Sequence, residues 1–184
     1  LKHTSGLTYG TFGTSFAKRR IKSSAISNLN LEDFTLEQYV KEMAKFPLAY
    51  QPNTVWEYGR SIEILGRVIE IVSNNTLDVF LKDRIFKPLD MKDTAFYVDE
   101  SKWHRIAEPF KEKQPQLIKI RNKPNFLTGG HGLVSTIDDY MKFCLMFLKK
   151  GIVNDNNILS RKTIEHMTSN HLGYNINRDT FSNK

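Results

Sequence analysis

One apolar stretch, residues 46–72, constrains the fold of this chain more than any other. A turn containing two prolines leads to Tyr58, and the spacing of the apolar residues that follow predicts a helix over about residues 59–73. Its apolar residues form two stripes, one of Ile62, Leu65, Ile69 and Val72 and one of Ile64, Val68 and Ile71. A helix with so much apolar surface is expected to be buried on most sides. On its remaining polar face, Glu63 and Arg67 have the spacing of an i, i+4 ion pair.

Helices are also predicted for most of the remaining chain. Thr35 and Gln38 form a capping box at the start of a helix within residues 31–46. A later helix is capped by Ser135 or Thr136 and ends near the C-cap residue Gly151. Its inward face is predicted to consist of Tyr140, Phe143, Cys144, Phe147 and Leu148. Two further helices are expected over 77–86 and 160–168, and short strands near 95–98, 105–110 and 116–121.

The composition argues against several classes of function. The net charge is +7 over 184 residues, but the basic residues are scattered and their densest run, residues 18–22, is short. A nucleic-acid partner is therefore not predicted. No apolar run approaches the roughly 18 residues of a membrane span, so no transmembrane segment is expected. The single cysteine excludes an internal disulfide, and the histidines lack metal-ligand spacing, so we predict no metal and no cofactor.

Tyr58 is the candidate catalytic residue. A phenol at a helix N-terminus experiences the positive end of the helix dipole, which favours the phenolate. Beside a lysine, such a phenol can act as a general base for a serine. The alternative is a core tyrosine whose hydroxyl is satisfied by a hydrogen bond, and the local pattern alone favours that alternative.

Two other segments have the residue types of a site. The turn over residues 128–133 is rich in glycine, and Gly129, Gly130 and His131 are candidates for contact with a substrate because glycines allow close approach. The alternative is a tight turn with a solvated histidine. Ser15 and Lys18 have the spacing of a Ser-x-x-Lys nucleophile motif, but they lie in a glycine-rich, basic segment where a helix start is not predicted.

Four motifs follow one another in a characteristic order. They are HTSGL at 3–7, PNTVWEYGRSIEILGRVIEIVS at 52–73, RIFKPLDMKDTAFYV at 84–98 and GGHGLVSTIDDYMKF at 129–143. Together they resemble the serine β-lactamase-like family, which includes class C β-lactamases, family VIII carboxylesterases and penicillin-binding-protein-like hydrolases. The resemblance extends over nearly the whole chain.

The resemblance implies an α/β (α+β) fold of the serine β-lactamase/transpeptidase type. In that fold a mostly helical domain is set into an antiparallel sheet flanked by helices, and the active site lies between them. A serine of a Ser-x-x-Lys motif attacks an ester or amide carbonyl and forms an acyl-enzyme, which water releases. The family's tyrosine motif matches at Tyr58, which would be the acid/base partner.

The chain also departs from the family's pattern. Esterase-like members have Tyr-Ser at the tyrosine motif and β-lactamases have Tyr-x-Asn, whereas this chain has Tyr58-Gly59-Arg60. The missing Asn favours an esterase over a true β-lactamase. The family's nucleophile precedes the HTSGL motif, so Ser15 lies on the wrong side of it, and the family's third motif follows the point where this sequence stops.

We therefore expect residues 1–184 to be a partial domain that lacks the Ser-x-x-Lys region and the C-terminal sheet. It would cover mainly the helical domain and its junction with the sheet. The expected function is that of a serine hydrolase fragment, inactive by itself, whose substrate is a small ester, amide or peptide. Two alternatives remain: a non-catalytic penicillin-recognising relative that binds a peptide or cell-wall fragment, and an unrelated helical interaction domain.

Overall fold

A computed structural model describes residues 2–9, 34–108, 119–153 and 156–177. The chain divides into two compact units. Unit 1 comprises Leu1–Val72, Thr128–Gly130 and Asn170–Lys184, and unit 2 comprises Ser73–Leu127 and His131–Ser169. The Ser15–Lys18 motif lies outside the described residues, as do parts of the two strands expected near 105–110 and 116–121.

In unit 1, the first described helix, α1, spans Leu36–Met43. The predicted capping box is confirmed: the Thr35 N–H donates to Gln38 Oε1 at 2.9 Å, and the Gln38 N–H donates to Thr35 Oγ1 at 3.2 Å. These two bonds satisfy backbone donors that a helix start leaves unpaired. The apolar face of α1 is buried through Leu36, Tyr39 and Met43.

Helix α2 spans Ser61–Ser73, and it is less buried than predicted. Its buried residues are Ser61, Glu63 and Gly66, whereas four of its large apolar side chains are exposed and the other three, Ile62, Ile64 and Ile69, are half-buried. The exposed fractions are 37% for Leu65, 47% for Val68, 63% for Ile71 and 82% for Val72. The prediction of a helix was correct, but that of burial on most sides was wrong, because α2 packs through its small and polar residues.

The expected ion pair on α2 is also absent from the described contacts. Arg67 instead binds Glu70 Oε2 at 3.1 Å and Glu37 Oε2 of α1 at 2.8 Å. Glu63 is only 2% exposed and points away from solvent. The i, i+4 spacing was compatible with a pair, but Glu37 supplied a second carboxylate that no local pattern could predict.

The last segment of unit 1 pairs with the segment before Tyr58. Val55 and Asn177 form a parallel bridge. The Trp56 N–H donates to the Asn177 carbonyl at 2.9 Å, and the Asn177 N–H donates to the Thr54 carbonyl at 3.1 Å.

Unit 2 begins with helix α3, Leu77–Leu81, which continues as a π-helical turn over Lys82–Phe86. A 3₁₀ helix spans Glu100–Arg105 where a strand was expected to begin. The apolar core of unit 2 is a cluster of Phe86, Leu89, Met91 and Met146. Phe143 and Phe147 are among the partly buried residues packed against this cluster.

Helix α4 spans Ile137–Leu148, and Thr136 caps it by accepting the Asp139 N–H at 3.2 Å. Asp139 is buried and accepts the Asp93 N–H at 2.7 Å and the Thr94 hydroxyl at 3.0 Å. The predicted inward face is partly wrong, because Tyr140 and Leu148 are exposed. Met146 lies in the core instead, and Asp139 joins the start of the helix to the segment that contains Asp93 and Thr94.

The remaining elements of unit 2 are short. Gly151 follows α4 with a φ of +91°, as expected for a residue that reverses the chain after a helix. Strands β1, Ile152–Val153, and β2, Asn156–Asn157, pair antiparallel. Helix α5, Arg161–Met167, starts where expected, with Ser160 accepting the Thr163 N–H at 3.0 Å. The strand expected at 95–98 is reduced to a bridge between Ala95 and Val134. Within the described ranges, no helix is long and apolar enough to cross a membrane.

Candidate functional site

The HTSGL segment packs directly on the segment that carries Tyr58. The Glu57 N–H donates to the His3 carbonyl at 2.8 Å, the Asn53 N–H to the Thr4 carbonyl at 2.7 Å, and the Ala49 N–H to the Gly6 carbonyl at 2.9 Å. Two motifs that are about fifty residues apart in the sequence are thus adjacent in unit 1.

Side chains reinforce this backbone pairing. The hydroxyls of Ser5 and Ser61 share a hydrogen bond of 2.7 Å, and the Thr8 hydroxyl donates to Glu57 Oε1 at 2.6 Å. Gly59 makes the approach possible, since a Cβ at this position would lie 2.2 Å from the Leu7 carbonyl oxygen. The residues on either side of Tyr58 are therefore firmly held.

Tyr58 itself projects from this buried segment. Its exposed fraction is 47%, whereas its neighbour Glu57 is 4% exposed and Gly59 is buried. Among the described residues, Tyr58 is therefore half exposed and is not a core tyrosine. Tyr58 lies in irregular backbone before Ser61, the first residue of α2, so it stands outside the first helical turn where the dipole acts.

Two aromatic rings contact the Tyr58 phenol. The His3 ring lies 5.0 Å from it and the Tyr9 ring 5.5 Å, measured between ring centroids. Burial lowers the pKa of His3, which makes its imidazole neutral at pH 7. Tyr58 is therefore flanked by two uncharged rings at these distances, which suits tilted aromatic packing.

Beneath Tyr9 lies a buried carboxylate. The Tyr9 hydroxyl donates to Glu63 Oε1 at 2.8 Å. Burial, together with this bond, raises the pKa of Tyr9 well above its usual value, so Tyr9 remains a neutral donor. The Arg60 guanidinium lies 5.0 Å from the Tyr9 ring and 5.4 Å from the Tyr39 ring, and burial lowers its pKa.

The glycine-rich turn meets α2 at the same place. A Cβ on Gly129 would lie 2.3 Å from the Ile62 carbonyl oxygen, and one on Gly130 would lie 3.0 Å from Glu63 Oε1. The Gly130 N–H donates to the Thr128 hydroxyl at 3.2 Å. Of the three candidate residues in the turn, Gly129 and Gly130 thus belong to the surroundings of Glu63, whereas His131 is exposed and belongs to unit 2.

Sequence reasoning did not identify Tyr9 or Glu63 as parts of the site. Glu63 was assigned to a polar helix face, and its partner Tyr9 is 54 residues away. The one available signal was that the HTSGL motif, which precedes Tyr9, belongs to the same family pattern as the tyrosine motif. Among the residues that the structure describes, no cluster of three or more acidic, histidine or cysteine side chains could hold a metal ion.

The fold is that of the serine β-lactamases and transpeptidases. Simvastatin synthase (LovD) from Aspergillus terreus superposes with a TM-score of 0.68 at 23% identity, over 95% of this chain and 42% of that one. A family model described as Beta-lactamase matches residues 1–180. The chain therefore belongs to the beta-lactamase family, as the order of its motifs predicted.

Esterases are among its relatives in this family. Lovastatin esterase from Penicillium rubens is 31% identical over 94% of this chain and 43% of its own length. Esterase EstB from Burkholderia gladioli is 31% identical over 72% of this chain and 33% of its own length. The chain thus spans less than half the length of these curated relatives.

Proposed function

We propose that these residues are part of a serine hydrolase that cleaves an ester through an acyl-enzyme, with Tyr58 as its acid/base residue. Tyr58 would accept the proton of a serine hydroxyl as the serine oxygen bonds to the ester carbonyl carbon. It would return that proton to the alkoxide that leaves. The serine and its lysine would come from a Ser-x-x-Lys motif outside residues 1–184.

The observation that carries this proposal is that the Tyr58 phenol is exposed although the residues on either side of it are buried. Glu57 is buried and hydrogen-bonded to the His3 carbonyl, and Gly59 is buried close to the Leu7 carbonyl, while the Tyr58 side chain between them reaches solvent. A general base must be accessible to the reacting group and held in a fixed geometry. Gly129, Gly130 and His131 are proposed to contact the substrate.

Arg60 favours an ester over a β-lactam. It stands two residues after Tyr58, where β-lactamases of this family have Asn. Its guanidinium lies over the Tyr9 and Tyr39 rings and offers no carboxamide to a β-lactam amide. The esterase names of the two curated relatives agree with this preference.

The test uses the intact gene product that carries these residues. Wild type should hydrolyse p-nitrophenyl butyrate faster than nitrocefin, and Tyr58→Phe should lower kcat about 100- to 10,000-fold. The matched control is Tyr140→Phe, an exposed tyrosine of unit 2, which should keep wild-type turnover. Undiminished hydrolysis by Tyr58→Phe would refute the acid/base role, and saturable peptide binding without any turnover would favour the binding-protein alternative.

Residues 1–184 by themselves should hydrolyse neither substrate, because the proposed nucleophile lies elsewhere. The assay is the same pair of substrates with the purified 184-residue chain. Turnover that disappears in Ser15→Ala would identify Ser15 as the nucleophile and would contradict this proposal.

A further inference from the structure

We infer that Glu63 is a positioning residue for Tyr58, acting through the Tyr9 hydroxyl, and that it also supports the Gly129–Gly130 turn. This inference rests on the proposed function, because it assigns Glu63 a part in orienting the proposed acid/base residue.

The burial of α2 is the first reason. The helix exposes Val68, Ile71 and Val72 and buries the carboxylate of Glu63, which is 2% exposed. Burying apolar side chains would stabilise the fold, and burying a carboxylate is unfavourable unless its oxygens are bonded. Only Oε1 has a hydrogen-bond partner among the described residues, and Oε2 has none. Simple packing does not account for such an arrangement, which needs another explanation.

The contacts of Glu63 supply that explanation. Its Oε1 accepts the Tyr9 hydroxyl at 2.8 Å, and the Tyr9 ring contacts the Tyr58 ring at 5.5 Å with an interplanar angle of 45°. This bond fixes the position of the Tyr9 hydroxyl and thereby holds the Tyr9 ring beside Tyr58. Because Tyr58 is half exposed, it needs contacts with neighbouring rings to keep its side chain in a defined orientation.

The charges around this contact distinguish the two tyrosines. Tyr9 faces the carboxylate of Glu63 and the guanidinium of Arg60, and the neutral His3 ring lies on Tyr58. Burial and the bond to Glu63 raise the pKa of Tyr9, so it keeps its proton. Tyr58, the exposed member of the pair, is the one whose hydroxyl a substrate can reach.

Glu63 also touches the second part of the proposed site. A Cβ on Gly130 would lie 3.0 Å from Glu63 Oε1, so the turn rests on this carboxylate. One side chain therefore contacts both Tyr9 and the glycine turn. A shift of Glu63 would move the phenol relative to the turn, and displacements of about 1 Å can cost about 100-fold in rate.

The experiment measures kcat, KM and melting temperature for variants of the intact gene product with p-nitrophenyl butyrate. Glu63→Ala and Tyr9→Phe should lower kcat about 10- to 100-fold with KM changed less than about threefold. Glu63→Gln should recover most of the loss, since its amide oxygen can still accept the Tyr9 hydroxyl. The matched control is Glu70→Ala on the same helix, whose carboxylate is 9% exposed and pairs with Arg67; it should leave kcat unchanged.

A second comparison separates positioning from damage to the fold. In a Tyr58→Phe background, Tyr9→Phe should lower the residual kcat no further, because Tyr9 then has no catalytic phenol to orient. An equal loss in both backgrounds, or wild-type kcat in Glu63→Ala, would overturn the inference. Tyr9→Phe removes a single oxygen, so it remains a decisive variant if Glu63→Ala does not fold. Unchanged activity of Tyr58→Phe would instead refute the proposed function, whatever the Glu63 variants do.

Discussion

The hydroxyl of Thr8 donates a hydrogen bond of 2.6 Å to Oε1 of Glu57, and both side chains are buried. Glu57 immediately precedes Tyr58, so this bond joins the N-terminal segment to the backbone that presents the phenol. A buried carboxylate that loses a hydrogen bond keeps its desolvation cost without the compensation.

Thr8→Val should therefore destabilise the protein by about 1–3 kcal/mol, because it keeps the shape of the side chain and removes the donor. Urea unfolding of the purified chain measures the change. Thr54→Val is the matched control, since the exposed Thr54 hydroxyl donates only to the Gln51 carbonyl; we expect a change within about 0.5 kcal/mol. Equal stability of Thr8→Val and wild type would show that the Glu57 carboxylate does not need this donor.

Gly59→Ala should cost about 1–3 kcal/mol, because its Cβ would lie 2.2 Å from the Leu7 carbonyl oxygen, a backbone atom that can move only with its segment. The same substitution at Gly173 is the control, since the nearest atom to a Cβ there is at 3.8 Å. Both free energies of unfolding come from urea titration. A Gly59→Ala protein as stable as Gly173→Ala would mean that the HTSGL segment is not tightly packed on residues 57–59.

Asp93 makes stability depend on pH in the acid range. Hydrogen bonds from Arg105 and Lys102 hold the pKa of Asp93 at about 2, below its usual 3.8. Because the folded-state pKa is depressed, the stabilisation is complete above the unfolded pKa and is lost as the pH falls through about 2. Asp93→Asn should lower the free energy of unfolding by about 1 kcal/mol at pH 7, after allowing for the solvent that screens both cations.

The measurement is chemical unfolding of wild type and Asp93→Asn at several pH values. The difference between them should shrink towards zero near the folded-state pKa. Asp83→Asn, which removes an exposed i, i+4 pair with Lys87, should show a difference below about 0.5 kcal/mol at every pH. A difference for Asp93→Asn that stays constant in acid would show that its charge is not the stabilising feature.

Val72→Ser should change the stability by less than about 0.5 kcal/mol, because this side chain of α2 is 82% exposed. Leu77→Ala, only a few residues further on, should cost about 2–5 kcal/mol, because Leu77 is 2% exposed. Thermal and urea unfolding of the 184-residue chain test both. A large loss of stability in Val72→Ser would support the sequence-based prediction that this face of α2 is buried.

Much of the secondary structure could be predicted because its signals are local. The capping box of Thr35 and Gln38, the cap at Thr136 and the reversal at Gly151 each depend on residues within one turn of one another. The family could be identified because four motifs occur in order, and Tyr58 could be proposed as its acid/base residue on the same ground.

The packing could not be predicted in the same way. Periodicity shows which face of α2 is apolar, but it does not show which face meets other segments. The face of α2 that is buried is the one that contacts Gly129, Gly130 and Tyr9. Tyr9 lies 54 residues before Glu63, and the glycines are also far from α2 in the sequence. The contacts of Glu63 with Tyr9 and Gly130 join segments that are far apart in the sequence, so no local pattern predicts them.

The pairing of Val55 with Asn177 has a consequence for biosynthesis. Translation proceeds at about 5–20 residues per second, so the backbone around Val55 leaves the ribosome on the order of ten seconds before its partner is made. All of unit 2 is synthesised within that interval. The backbone groups around Val55 therefore wait for their partner in the nascent chain, and a message truncated before residue 170 would yield a complete unit 2 and an incomplete unit 1.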